Sequence, residues 1–163
     1  MPTHPRIRLR GPWLLALAAI ESLLLPRLTV AAEPSAMPIV IAHRGASGYL
    51  PEHTLPAKAL AHGQGADAIE QDVVMTKDGV PVVLHDTTLD AVSDIAVKFP
   101  GRARADGKHH CTDFTLAELR TLALTERLDP ATGRQTYADR FPRGESRFGI
   151  VTLEEELEFL AGI

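Results

Sequence analysis

Short apolar runs punctuate the chain, and charged or titratable residues gather where those runs end. Ile39-Val-Ile-Ala42 is unbroken and β-branched, the pattern of a strand covered on both faces as in a parallel sheet. It gives way at once to His43-Arg-Gly-Ala-Ser-Gly48. Tyr49 to Thr54 reads as a loop, with Thr54 placed as a helix N-cap. The spacing then predicts a helix from Leu55 to Gln64, with Leu55, Ala59 and His62 on one side, Pro56 in its first turn and Gly65 ending it. From Ala68 to Met75 the period changes to two: Ile69, Gln71 and Val73 point one way, Glu70, Asp72 and Val74 the other. Lys77-Asp-Gly79 is a turn, and Val80-Pro-Val-Val-Leu84 is a second buried-looking strand that runs into His85-Asp86.

From Ala91 to about Phe148 no long periodic segment competes, and glycines are scattered among arginines. This stretch reads as an excursion from the core fold. Within it Thr115 and Glu118 form a capping box that opens a helix through Leu124. A second box, Thr152 with Glu155, opens a helix through about Leu160 with Leu153, Leu157 and Leu160 on its apolar side. The order strand, helix, strand, strand indicates an α/β fold, a class that places its chemistry at the carboxyl ends of strands.

Composition changes the picture mainly at the amino terminus. His4, Arg6, Arg8 and Arg10 precede the apolar Trp13 to Ile20 and Leu23 to Leu25, and Val30-Ala-Ala32 offers small residues. That is the layout of a signal peptide cleaved near Ala32, too short and interrupted for a membrane span, so no stable membrane insertion is expected after cleavage. The expectation is a periplasmic or secreted protein with a linker at 33–38 and a domain at 39–163. Without residues 1–32 the chain keeps 13 basic and 20 acidic residues, a net charge of about −7. So acidic a chain lacks the broad basic surface that nucleic acid requires, and an anionic ligand must be held by a local site. Cys111 is the only cysteine, so no internal disulfide is expected and the fold must rest on packing, with a metal as a second possible support.

The candidate chemistry sits in three places. Glu70 and Asp72, two apart on a predicted strand, share a face about 7 Å from each other along the chain, a spacing that lets both approach one hard cation. The alternative is the solvent face of an edge strand. His43 and His85 each follow a buried run, as an acid and base pair would around such a cation, and Arg44 supplies a fixed fork for phosphate oxygens. Blander readings suit the remaining groups. His53 and His62 read as loop or helix-surface residues, His109-His110 as a solvated pair, and Cys111 as a small packing residue. Glu154-Glu-Glu156 complements its helix dipole and needs no partner.

The segments His43 to Thr54, Glu70 to Gly79 and Val83 to Asp86, together with Phe114 to Leu119 and Thr152 to Glu156, resemble the glycerophosphodiester phosphodiesterases, particularly their periplasmic bacterial branch. The resemblance implies the amino-terminal part of a TIM-type (β/α)8 barrel with a small inserted subdomain, here about 88–148. It implies His43 and His85 as the acid and base pair, Arg44, Gly45 and Glu52 at the substrate, and Glu70 and Asp72 as ligands of a divalent cation, Ca2+ or Mg2+. Glu52 would orient Arg44 or approach the metal. The implied reaction splits a glycerophosphodiester into glycerol 3-phosphate and an alcohol. A (β/α)8 barrel typically needs about 250 residues, while 131 follow residue 32, and the family's third metal carboxylate comes from a later strand. The fold is therefore expected to be incomplete as given, from a fragment or a truncated gene, with little activity alone. Two other readings stay open: a non-catalytic remnant or binding module, and a related phospholipase built on the same barrel. Oligomeric state is not fixed by these patterns.

Overall fold

The computed structural model describes residues 37–129, 131–136 and 147–163. The expected leader at 1–32 and most of the linker lie outside the described residues. The elements run β1 (Ile41–Ala42), α1 (Leu55–Gly63), β2 (Ala68–Ile69), β3 (Val73–Met75), β4 (Pro81–Val83), α2 (Ile95–Lys98), a 3-10 turn (Cys111–Asp113), α3 (Leu116–Leu119) and α4 (Leu153–Ala161). β1, α1 and β2 form a βαβ unit whose strands pair in parallel, Ile41 with Ala68 and Ala42 with Ile69. β3 and β4 pair antiparallel, Val73 with Val83 and Met75 with Pro81. This is the α/β fold the sequence indicates, and among the described residues its strands form two-stranded sheets that do not close on each other.

α1 forms where expected because both of its ends are satisfied. The Thr54 hydroxyl accepts from the Ala57 amide, and Pro56 sits in the first turn, where its missing N–H costs nothing. At the other end Gly65 takes φ 81°, while its amide donates to the His62 carbonyl and that of Ala66 to Ala61. That pair of bonds is a Schellman closure. The buried face is a correction: it carries Ala57, Lys58 and Ala61, whereas Ala59 and His62 are exposed. Small side chains let the helix lie close to the turn after β1, and a leucine stripe would hold it away.

The run from Ala68 to Met75 is two strands. At Glu70 to Asp72 the backbone changes partners: the Glu70 amide donates to Ala42 in β1, and the Asp72 carbonyl accepts from Leu84 beyond β4. The hand-over breaks the ladder that strict alternation implies. The β1 run is also not covered on both faces. Ile39 is 74% and Ile41 62% exposed, because among the described residues β1 has β2 as its sole strand neighbour.

The stretch without periodicity supplies most of the buried cluster. Leu89, Val92, Ile95, Cys111, Phe114, Leu119, Leu122 and Leu124 pack with Val82 and Leu84 of the β4 region and with Ile150. No period is visible because α2 and α3 are single turns, and the rest is held by isolated bridges such as Ser93 to Leu124 and Leu124 to Phe148. The capping box at Thr115 is present, but its helix stops at Leu119 and does not reach Leu124. His109 is a core residue: its Nδ1 lies 2.7 Å from Asp90 Oδ1 and its Nε2 3.1 Å from the Phe99 carbonyl. Its neighbour His110 pairs with Asp106 at 2.7 Å. The buried Cys111 packs as expected, and burial pushes its thiol up to about 11.

α4 carries the second capping box as expected. Its inward residue is Glu156, fully buried, while Leu157 is 51% exposed. Glu156 has a partner after all, the equally buried Lys58 Nζ of α1 at 3.2 Å. Lys58 also donates to the Glu70 carbonyl at 2.7 Å, so one buried amine joins α1, α4 and the segment that carries the carboxylate pair.

Candidate active site

The turn after β1 is shaped by two residues at positive φ, Arg44 at 61° and Gly45 at 82°. Gly45 is required twice over. A Cβ there would meet the Ala57 carbonyl carbon and oxygen at 3.0 Å, and the conformation disfavours any side chain. Its close approach lets the Ala46 amide donate to the Ala57 carbonyl at 2.9 Å, which seats the turn on α1. Arg44, in a conformation that costs a side-chain residue on the order of 1 kcal/mol, is held there because its carbonyl accepts from His53 and its amide donates to Glu70 Oε2 at 2.9 Å.

Around Arg44 the candidate residues converge. Its Nη1 donates to both Glu52 oxygens at 3.1 and 3.2 Å, and its Nε lies 3.8 Å from Asp72 Oδ2. His43 Nε2 is 4.0 Å from Glu70 Oε2, and the His43 side chain is 68% exposed, open to a ligand. Glu70 and Asp72 are each about one-third exposed and face this arginine rather than bulk solvent. Gly45 acts through the backbone approach just described.

The second histidine is on the other flank. Leu84, buried at the end of the β4 run, hands the chain to His85, whose Nδ1 lies 2.5 Å from Asp86 Oδ1. Asp86 Oδ2 accepts from Arg127 Nη1 at 2.6 Å, and Arg127 reaches back to Glu52 through Nη2 at 2.5 Å and Nε at 3.1 Å. Arg44, Glu52, Arg127, Asp86 and His85 are thus one continuous chain of charged hydrogen bonds. Burial raises the Glu52 carboxyl, but bonding to Arg127 and the charges of Arg127 and Arg44 outweigh it and hold the group below the usual range. Asp86 follows the same balance, with burial opposed by its bonds to Arg127 and His85. Both carboxylates push the Arg127 guanidinium further up. A cleft of about 420 Å³ opens beside Asp86 and Arg127, bordered also by Thr88, Asp90 and Lys108.

Three residues of this site were not singled out by sequence. His53, read as a loop residue, is 1% exposed with φ 62°, and its Nε2 lies 3.3 Å from Asp72 Oδ2. Burial and the nearby Lys58 charge press its ring down to about 4, against the opposing pull of Glu52 and Asp72. Arg127 lies in the stretch without pattern, 75 positions from Glu52, and nothing local marks it. Lys58 had a faint signal: it is flanked by Ala57 and Ala61 at the spacing of one helix face.

The donor set fits part of a hard cation's shell. Glu70 beside the Arg44 amide and Asp72 beside its guanidinium are oxygen donors of the kind a hard cation takes, and Asp72 Oδ2, Arg44 Nε and both His53 nitrogens are buried without a hydrogen-bond partner. Such orphaned groups of both signs suit a centre that receives an ion and an anion. Among the described residues no group of three or more His, Cys, Asp or Glu is arranged to hold a metal ion.

The fold and this cluster define a class: an α/β protein whose strand ends gather imidazoles and carboxylates about an arginine fork. Residues 43–162 match the Glycerophosphoryl diester phosphodiesterase family, and the chain belongs to it. It is 54% identical over 127 residues to a glycerophosphodiester phosphodiesterase of Haemophilus influenzae, covering 77% of this chain and 35% of that protein. Among solved structures, a glycerophosphoryl diester phosphodiesterase of Silicibacter pomeroyi superposes with TM-score 0.62 at 36% identity, over 80% of this chain and 42% of that one. A phosphodiesterase of Oleispira antarctica, solved with the product sn-glycerol-3-phosphate, superposes with TM-score 0.53 at 32% identity, over 77% of this chain and 41% of that one. The chain spans about a third of the length of the curated relatives it matches, and in fold it corresponds to part of a TIM-type barrel.

Proposed function

We propose that the gene product carrying this chain hydrolyses glycerophosphodiesters to glycerol 3-phosphate and an alcohol, with the residues described here binding the phosphodiester and moving its protons. The observation that carries this reading is the continuous network from Arg44 to His85, which joins motif residues of separate segments into one centre. Arg44 would hold the phosphoryl oxygens, its fork braced by Glu52. His43 would take a proton from the attacking hydroxyl, and His85, steadied at Nδ1 by Asp86, would return one to the leaving alkoxide from Nε2. Glu70 and Asp72 would hold Ca2+ or Mg2+, which when bound offsets charge on the phosphoryl oxygens. The relative bound to sn-glycerol-3-phosphate supports the substrate class, and the basic and apolar pattern of residues 4–32 supports export.

The test is release of glycerol 3-phosphate from glycerophosphocholine by that gene product, with and without a chelator. Turnover should require the divalent ion, and His43→Ala and His85→Ala should each lose most of it while still binding metal. Undiminished rates in both variants would remove the acid and base assignment. Parallel assays on phosphatidylinositol and sphingomyelin separate the reading from a phospholipase on the same barrel.

A further inference from the structure

The proton-transfer reading of His85 leaves open what fixes its ring, and the geometry points to a residue that no motif contains. We propose that Arg127 is the positioning residue of the site: by gripping Glu52 and Asp86 together it holds Asp86 on His85 Nδ1 and Arg44 in register with that histidine. The proposal rests on the proton-transfer reading above but concerns a feature that can be measured without turnover.

Three observations support it. First, Arg127 spends its whole fork on the network, with Nη1 on Asp86 Oδ2 at 2.6 Å and Nη2 and Nε on the Glu52 carboxylate at 2.5 and 3.1 Å. A bidentate grip on one carboxylate with a third bond to another is a geometry that lysine cannot reproduce. Second, the ends of the network are the groups that would meet substrate: Glu52 is shared with Arg44 Nη1, and Asp86 Oδ1 lies 2.5 Å from His85 Nδ1. With Oδ2 tied down by Arg127, the Asp86 carboxylate cannot rotate away. One proton of the His85 ring is then kept on Nδ1: the charged ring carries its second, transferable proton on Nε2, and the neutral ring left after that transfer is the Nδ1–H form. Third, the backbone on both sides of Arg127 is fixed. The Leu128 amide donates to the Ala91 carbonyl at 2.6 Å, the Thr125 amide to Val92 at 2.8 Å, and the Arg127 carbonyl accepts from Thr136 at 2.9 Å. The guanidinium is therefore presented from a segment tied by backbone bonds on both sides and continuous with the buried Leu124. The irregular stretch thus gives the site one side chain as well as most of the core.

A surface ion pair that merely ties two segments together would show the same bonds, so the test must read the imidazole itself. Long-range 1H–15N correlation on the gene product carrying this chain, with histidine-selective 15N labelling, reports which ring nitrogen of a neutral His85 carries the proton. In the unaltered protein the proton should be on Nδ1. In Arg127→Met the two tautomers should mix, and the two ring nitrogen shifts should move toward each other. Arg127→Lys, which keeps the charge but lacks the planar fork for a bidentate grip, should restore the Nδ1 form in part. The His109 ring, held by Asp90, serves as the internal control that a variant is folded. Should Arg127→Met fail that control, Arg127→Lys alone decides, since it must still shift the His85 ratio part of the way. In the gene product carrying this chain, Arg127→Met should lower kcat roughly ten- to a hundredfold with KM little changed, the scale of losing an outer partner of a reactive group. A His85 ring that keeps its Nδ1 proton in folded Arg127→Met, with only the melting temperature reduced, would overturn the proposal. A ring that responds as expected in a protein that hydrolyses no glycerophosphodiester would overturn the functional reading and leave the positioning of His85 standing.

Discussion

His53 shows how much a single residue's surroundings decide. Its ring is buried beside Asp72, in a left-handed backbone conformation, and burial with the Lys58 charge lowers it from 6.5 to about 4. The folded protein therefore keeps the ring neutral where the unfolded chain already binds a proton. The stability this contributes is fully present above the ordinary histidine range and is lost as pH falls from about 6.5 toward 4. From about pH 7 to about pH 5 the loss is about 2 kcal/mol. Urea unfolding of metal-free protein across that window should show this slope, and His53→Asn, which tolerates the left-handed conformation and does not titrate, should flatten it. An unchanged slope in the asparagine variant would place the pH sensitivity elsewhere. At this scale His43, Arg44, Glu70, Asp72 and His85 could be singled out, because each sits beside an apolar run. His53 and Arg127 were not, because their importance comes from contacts with chain far away in sequence.

Between elements, sequence marked the boundaries better than the faces. Both capping boxes and the α1 cap are where residue types demand them, since a cap is a contact within four residues. Which side of a helix turns inward depends on what lies opposite, and there the apolar count misled: α1 and α4 are joined by the fully buried Lys58 and Glu156, while Leu157 is exposed. Burial acts against the charged form of both, lowering Lys58 and raising Glu156, and each is restrained by the other's charge. Breaking such a pair strands a buried charge and costs about 3 to 5 kcal/mol, whereas replacing both partners by apolar groups of similar size is often neutral. Glu156→Leu should therefore destabilise strongly in urea titrations, and Lys58→Met with Glu156→Leu should recover most of the loss. Recovery should be incomplete, because Lys58 also satisfies the Glu70 carbonyl at 2.7 Å. A single variant costing less than about 1 kcal/mol would mean the pair is not sealed from water.

For the whole molecule, the site straddles two regions of unequal support. His85 and Asp86 follow β4 and rest on the large buried cluster, while His43 and Arg44 follow β1, whose run is largely exposed. The charged bridge through Glu52 and Arg127 crosses from one to the other. The α/β class was legible from the order strand, helix, strand, strand, while the distribution of the core was not: the cluster is assembled from single turns and isolated bridges that have no period to read. Local stability follows buried apolar contact, so amide exchange should divide along the same line. The amides of Leu84, Leu89 and Leu124, bonded to Asp72, His109 and Phe148, should exchange at least roughly tenfold more slowly than those of Ala68 and Glu70, which are bonded to Val40 and Ala42. Equal protection would mean that β1 and β2 share the cooperative unit of the cluster. Adding Ca2+ or Mg2+ turns the same experiment on the proposed metal site: an ion held by Glu70 and Asp72 stabilises only states in which those carboxylates are in place. It should therefore slow the Glu70 amide more than that of Leu89, and bring the two halves of the site toward one rate.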